Sequence, residues 1–429
     1  MRPVAEIRDP VHGYIKMTEV ERDLVDSPFV QRLRRVHQLA GSYLVYPGAV
    51  HTRFEHVVGT MHVAGQITES LALASEMNGD ELQETRIAAL LHDVGHGPFS
   101  HMYDEVLAEK TNTTHEDISQ RIIRETPIHD ILSRNGFSPR RMSSFAVGKQ
   151  RGKPPFMNEI IAGGLSADMM DYLPRDSYFT GVEYGKVDVQ RVINSLHVAE
   201  GHLVIDDAAL YAFEALLLAR YEMFKAVYFH RTVRAAELMV VNSMKLADQV
   251  LGLTDLSNLE GYLEITDEIV LQKLATLRAT TPRLREARRL AQGFRNRDLV
   301  KCVFEKLVQR RDRVVGQFFV NKKLRKRATS ELAESAKVDP MQIYVDVPTT
   351  PSVPNTYSRE ALTSVRLLRT KGRRSVMKTV SLSELPLVCS IAGFMDVLRV
   401  YTTAQHRHAV EKAAAKLFKD QRFVSDFTV

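Results

Sequence analysis

Cysteine is almost missing from these 429 residues; Cys302 and Cys389 are the whole supply. That excludes a disulfide framework and fits a reducing compartment. No apolar run approaches the ~20 residues that span a bilayer, and FEALLLARYEMF is interrupted by charge. The opening MRPVAEIRDPVHG lacks the basic-then-apolar layout of a secretory signal. A cytoplasmic chain with no membrane partner is therefore expected. Net charge is also small, at +6, but it is unevenly spread: residues 271–330 hold 18 Lys and Arg against four Asp and Glu. Such a face meets nucleic acid, polyphosphate or only water, so nucleic acid is carried as a candidate partner of 271–330. The rest of the composition, 44% apolar and 26% charged, is that of an ordinary globular protein. The length suits one large domain with an appendage, or two domains.

Helix signals dominate the first part of the chain. TEVERDLVD opens on a Thr18-x-x-Glu21 capping box, and SPFVQRLRRVHQL on a Ser27 cap followed by Pro28. HTRFEHVVGTMHVAGQITESLALASEM keeps a helical period that puts Phe54, Val57, Val58, Met61 and Ala64 on one side. In DELQETRIAALLHDVGH, Asp80 reads as the cap and Gly95 as the end. Further helices are expected in 115–125 and 207–250, and long basic ones in 268–318. The Ser-, Gly- and Pro-containing stretch 138–157 reads as a surface loop. After about 340, MQIYVDVPTTPSVP and SVMKTVSLSELPLV read as strands, and LRVYTTAQHRHAVEKAAAKLF as a strand then a helix. The expected architecture is mainly α: a helical domain over 1–320 and a small mixed α/β C-terminal lobe over 321–429.

The chemistry concentrates in LLHDVGHGPFSH, residues 90–101, where three histidines and an aspartate follow an apolar helix and then meet glycine and proline. Neighbouring residues on a helix point about 100° apart. His92 and Asp93 therefore reach one ion only if it sits off the helix end, and the break at Gly95 supplies that end. One His and one Asp make an N,O pair that needs further ligands. His56 is the upstream candidate; downstream, Asp168 and Asp171 share a helix face, and either can supply a fourth donor. Taken alone, His92-Asp93 reads rather as a helix end with a structural His–Asp contact. His12, His37 and His62 read as structural. GKQRGK at 148–153 lacks the spacing and setting of a phosphate loop.

The order His56, His92-Asp93, Asp168 resembles the H…HD…D signature of the HD-domain phosphohydrolases. IRDPVHGYI, DSPFVQRLRRVHQL, VYPGAVHTRFEH, LLHDVGHGPFSH, THE and DMMDYLPRD follow, in order, the pattern of the deoxynucleoside triphosphate triphosphohydrolase branch. The resemblance covers roughly residues 5–235. It implies that His56, His92, Asp93 and Asp168 hold one divalent metal ion, and that His96, His101 and His115 are catalytic, with Asp104 orienting one of them. It also implies that Arg53 meets phosphate, Gln38 and Asp176 read the sugar 3′-hydroxyl, Tyr172 packs on the ribose, and His230 and Arg231 lie near the substrate. The donor set suits Mn, Fe, Co, Ni or Zn, and Mg less well. A dication held by two imidazoles and two carboxylates carries little net charge, so it still polarises a phosphoryl oxygen and acidifies bound water. Histidine, with a pKa of ~6.5, suits the proton transfer.

The expected reaction is water attack at the α-phosphorus of a deoxynucleoside triphosphate, giving deoxynucleoside and inorganic triphosphate. The alternatives are an HD-type nucleotidase or phosphodiesterase on another nucleotide, and a nucleic-acid-binding protein with a vestigial HD site. The family pattern is not matched everywhere. Its lysine after the metal-binding aspartate is Met169 here, its arginine before His230 is Ala226 or Val227, and its base-stacking tyrosine falls near Arg234. Tail contacts would then move to Lys225, Arg231 or Arg234. Asp26, Gln31 and Arg34 match residues that bind an activating guanine nucleotide in vertebrate members, but the accompanying lysine is Ala5. The resemblance also implies a homo-oligomer, dimer or tetramer.

Overall fold

The computed structural model describes residues 2–73, 77–308, 322–347, 364–371, 374–385, 387–388 and 396–419. The chain divides into two compact units interleaved along the sequence. One unit takes Met1–Met223, Gly252–Val270 and Val353–Val388; the other takes Phe224–Leu251, Leu271–Ser352 and Cys389–Val429. Helix predominates, with strands confined to small sheets. Among the described residues no helix is long and apolar enough to cross a membrane.

The first unit begins with an antiparallel hairpin, Ala5–Asp9 with Gly13–Met17. The Thr18–Glu21 capping box then starts the helix Glu19–Val25. At the centre lies the helix Arg53–Leu73, packed against Gly79–Leu91 and Ala167–Thr180. The apolar side expected for Arg53–Leu73 is buried, and so are Val63, Gly65, Ile67 and Thr68, so the core covers most of its circumference. Asn78, not Asp80, caps the next helix, because its side chain accepts from the Asp80 and Glu81 amides while Glu81 returns the bond. That helix stops at Leu91 with His92 as its C-cap, short of Gly95.

The loop expected over 138–157 shrinks to 147–154, between two helices. Ser138 accepts from the Arg141 amide, with Pro139 in the first turn of the helix Pro139–Ala146, and Pro155 opens Pro155–Ile161. Met142, Phe145, Phe156 and Ile160 bury the apolar sides of both. The expected single helix over 207–250 is divided: Leu210–Met223, a π-turn at Phe224–Tyr228, then Arg231–Leu251. A hairpin appears where no strand was expected, Leu196–Ala199 with His202–Asp206, turning at Glu200 and Gly201, both with positive φ. It continues through Ser364–Lys371 to Arg374–Ser381 in a four-stranded sheet.

In the second unit, Lys301–Val308, Asp396–Thr402 and Ile343–Asp346 form an antiparallel sheet in that spatial order. The helices Lys322–Ala336 and Arg407–Lys419 bury Ala328, Leu332, Val410 and Ala414 with Val400 of the sheet. This is the small mixed α/β lobe expected from the strand-then-helix pattern. The basic stretch contains the helices Asp267–Ala275 and Pro282–Arg295, but Lys301–Val308 is a strand. Its sequence, KCVFEKLV, does not alternate, and its pairing with Asp396–Thr402 is irregular between Cys302 and Phe304, so no two-residue period announced it. Residues 309–318 lie outside the described ones.

Candidate metal and active site

His92 and Asp93 sit in the turn just past the helix Gly79–Leu91, as an ion off the helix end requires. Gly95 in this turn is there for closeness. A Cβ on it would stand 2.3 Å from both the His115 carbonyl and the Ser119 amide. Ser119 Oγ accepts from the Gly95 amide at 2.9 Å and donates to the His92 carbonyl at 3.1 Å. The helix His115–Glu125, started by the Thr114–Asp117 capping box, is thereby held against the His92–Gly95 turn.

Four side chains converge, from two helices and from the turn after a third. His56 Nε2 lies 3.6 Å from Asp93 Oδ2 and 3.2 Å from Asp168 Oδ1; His92 Nε2 lies 3.4 Å from Asp93 Oδ1 and 3.8 Å from Asp168 Oδ1. Donors about 2.0–2.2 Å from a common tetrahedral or octahedral centre stand roughly 3–3.6 Å apart; three of the four separations fall in that range, and His56, His92 and Asp93 have donor atoms all within 4.8 Å of one another, with Asp168 beside them. The decisive sign is that His56 Nε2 and His92 Nε2 are buried and make no hydrogen bond. Their other nitrogens are engaged: His56 Nδ1 bonds Asp171 Oδ2 at 2.8 Å, and His92 Nδ1 bonds the Ala89 carbonyl at 2.7 Å. Those bonds fix the tautomer that leaves Nε2 as an acceptor for a metal. Burial opposes charge on His56, yet Asp168 and Asp171 push it up to about 9. The surroundings therefore attract a cation. Asp168 has part of its side chain open, 38%, whereas His56 is sealed, which makes the Asp168 side the way in.

Asp171, the alternative fourth donor, is turned the other way. It bonds Arg175 Nε and Nη2 at 2.9 and 2.8 Å and His12 Nε2 at 2.6 Å, and Arg175 reaches Asp9 at 2.7 Å. All this is buried beneath His56, and Gly59 makes the room, since a Cβ there would fall 2.0 Å from Asp171 Oδ1. His12, read as structural, thus supports the metal cluster from behind, and its ring lies 5.3 Å from that of His62. Burial drives the His62 pKa down to about 4, so His62 is neutral there. Asp171→Ala strands Arg175 without its main partner. Removing one member of a buried pair costs about 3–5 kcal/mol, and loss of such support lowers metal affinity roughly 10–100-fold. Denaturant unfolding and metal titration of that variant check both numbers.

The second cluster holds His96, His101, Asp104 and His115, whose donor atoms lie within 4.8 Å of one another. Asp104 Oδ2 accepts from His115 Nδ1 at 2.7 Å and His101 Nδ1 at 3.2 Å, and Oδ1 takes the His115 amide at 3.1 Å. His96 stacks on His115 at 3.8 Å and approaches Asp93 Oδ1 at 3.4 Å, so it links the two clusters. Burial and the nearby Arg53 charge hold His96 well below its usual pKa, as a neutral ring. Burial also opposes charge on His115, but Asp104 overrides it and pushes His115 up to about 9. One neutral and one protonated imidazole thus lie face to face.

Arg53 is buried, ion-paired with Asp93 and bonded through Nε to Ser100 Oγ at 3.0 Å. Burial works against the Asp93 charge, but His92, His96 and Arg53 hold its carboxyl well below the ordinary range. Gln38 is buried, with Oε1 making no hydrogen bond. Asp176 is buried against His51 Nε2 at 2.8 Å, a partner that sequence reasoning missed although it lies two residues before Arg53. Burial raises the Tyr172 hydroxyl to about 12. Arg220, not anticipated either, approaches Met169 Sδ with Nη1 at 3.9 Å, bringing a guanidinium to the position that lacks the family's lysine. His230 and Arg231 belong to the second unit. Arg234 does too, and it is spent on Asp346 and Glu237 there, which removes it as a tail contact. Gln31 and Arg34 bond each other, and Gln31 bonds the Val25 carbonyl. Asp26 instead lines an open cavity of about 470 Å³ with Asp23, Asp130 and Arg134.

The HD domain model matches residues 53–172, and the HD associated region matches 187–423. An uncharacterized protein of Methanocaldococcus jannaschii is 35% identical over 62% of this chain. The deoxynucleoside triphosphate triphosphohydrolase SAMHD1 homolog of Dictyostelium discoideum is 31% identical over 70%, and SAMHD1 of Homo sapiens 28% over 70%. The matches span 57%, 60% and 55% of those relatives' own lengths. A solved hypothetical protein from Aquifex aeolicus superposes with a TM-score of 0.76 at 29% identity, over 95% of this chain and 99% of that one. The HD residues gathered at the turn after Leu91, and an HD associated region that accounts for more than half the length, place the chain in the HD-domain phosphohydrolase family.

Proposed function

We propose that this protein is a metal-dependent phosphohydrolase that cleaves a deoxynucleoside triphosphate into deoxynucleoside and inorganic triphosphate. The observation that carries the reading is the convergence of two unbonded, buried imidazole nitrogens on the Asp93 and Asp168 carboxylates, next to a protonated histidine. His56, His92, Asp93 and Asp168 would hold one divalent ion, which when bound polarises a phosphoryl oxygen and lowers the pKa of its water.

The protein's own groups do the rest. Water forms a bond to the α-phosphorus, the bond from phosphorus to the 5′-oxygen breaks, and that oxygen needs a proton. His115, charged through Asp104, donates it. His101 shares the same carboxylate and stands at the open side, where it exchanges the proton with solvent. Arg53, held between Asp93 and Ser100 Oγ, is placed to meet phosphate charge. Gln38, whose acceptor is buried without a partner, and Asp176, steadied by His51, are suited to a sugar hydroxyl, and Tyr172 beside Asp168 to the ribose. Arg220 supplies positive charge for the phosphate tail where Met169 cannot. Support for a nucleotide substrate also comes from the Dictyostelium and human relatives, which are named for deoxynucleoside triphosphate hydrolysis. The test is incubation of the purified protein with each nucleotide class and with Mn, Fe, Co, Ni, Zn and Mg, followed by product identification. Hydrolysis of no nucleotide with any metal overturns the reading.

A further inference from the structure

Two consecutive non-glycine residues, Phe99 and Ser100, have φ of 60° and 55° directly before the helix that carries His101 and Asp104. Side chains in that region persist only where the surroundings over-determine them. Here one carboxylate does so from 168 residues away. Asp267 Oδ1 accepts from the Phe99 amide at 2.7 Å, and Oδ2 accepts from the His37 amide at 3.0 Å and from His37 Nδ1 at 2.8 Å. The ring of bonds closes through Ser100, whose hydroxyl donates to the His37 carbonyl at 2.7 Å and accepts from Arg53 Nε at 3.0 Å. Asp267 is buried, and its bond to His37 raises that imidazole above its ordinary pKa, which keeps Nδ1 a donor.

The same segment frames the rest of the turn. Tyr262 donates to the Gly95 carbonyl at 2.9 Å. The fully buried Arg32 donates to the His96 carbonyl at 2.7 Å, to the Tyr262 carbonyl at 2.8 Å and to the Ile265 carbonyl. The Gly95 and Phe99 peptides are thus tied directly to residues 262–267, and the His96 peptide through Arg32.

We propose that Asp267 is a positioning residue: without touching substrate, it holds Arg53, Gln38 and the start of the His101 helix in one arrangement through Phe99, Ser100 and His37. This rests on the phosphohydrolase reading of the site. The test compares Asp267→Ala and Asp267→Asn with the full-length wild type in metal content, kcat and KM for nucleotide hydrolysis, and amide exchange over 95–104. A displacement of 1 Å in such groups costs about 100-fold, so Asp267→Ala should lose roughly that factor in kcat/KM with its metal retained. Asp267→Asn should lose less, because one amide oxygen can still serve the Phe99 side. Asp267→Ala with Ser100→Ala should be no worse than the weaker single variant, since both act through one turn. Turnover per folded molecule within twofold of wild type in both Asp267 variants, or fully additive losses, would overturn the proposal. If the wild type hydrolyses no nucleotide, the functional reading falls alone, and exchange decides: faster exchange over 95–104 with the Arg53–Leu73 helix unchanged supports the role, and unchanged exchange ends it. Should Asp267→Ala not fold, Asp267→Asn carries every measurement.

Discussion

His92→Ala and Asp93→Ala should both reduce bound metal and hydrolysis to background, yet they should part company in stability. His92 has one nitrogen on the Ala89 carbonyl and one with no protein partner. Its loss removes a ligand and little else, so unfolding should shift by about 1 kcal/mol or less, the worth of one ordinary hydrogen bond. Asp93 is also the counter-ion of the buried Arg53. Its removal strands a guanidinium, at a cost of about 3–5 kcal/mol. Metal analysis by mass spectrometry and urea unfolding of the two variants read the contrast. Full metal occupancy in either would remove that residue from the ligand set.

A second large effect is expected at His115. His115→Asn should lower kcat by about 10²–10⁴-fold, the usual worth of general acid catalysis, with metal content unchanged because the ring is not among the proposed ligands His56, His92, Asp93 and Asp168. Its proton is held by Asp104, so the pH profile carries a sign. The folded pKa is raised to about 9, and the acid form is lost as pH rises through that value, which sets a falling alkaline limb. Asp104→Asn removes the cause and should move that limb to lower pH. The same linkage makes the His115–Asp104 pair stabilising below the unfolded value of ~6.5 and progressively less so as pH rises through about 9. An unmoved limb in Asp104→Asn would take the acid role away from His115.

Much of the site was legible because its signals are local. A helix that breaks into glycine just after His92-Asp93 must end there, and capping boxes at Thr18 and Thr114 mark helix starts whatever lies around them. The strand-then-helix pattern of 398–418 was equally self-contained. What stayed hidden depends on burial depth and on long closures. Asp168 and Asp171 share a helix face in any periodicity argument, and only the packing against Arg175 and Asp9 separates a donor from its support. Asp267 meets His37 across 230 positions, a contact no spacing announces. Residues 138–157 were misread for a different reason: composition outweighed Ser138-Pro139, the same start signal that was correctly read at Ser27-Pro28. The hairpin around Glu200-Gly201 lies in a stretch for which no element was expected.

The most direct test of the central claim is the reaction of a deoxynucleoside triphosphate in ¹⁸O-labelled water with the metal-loaded protein, read by mass spectrometry. Attack at the α-phosphorus puts the label in inorganic triphosphate and leaves unlabelled deoxynucleoside. Label in orthophosphate beside a nucleoside diphosphate, or no cleavage at all, would contradict it.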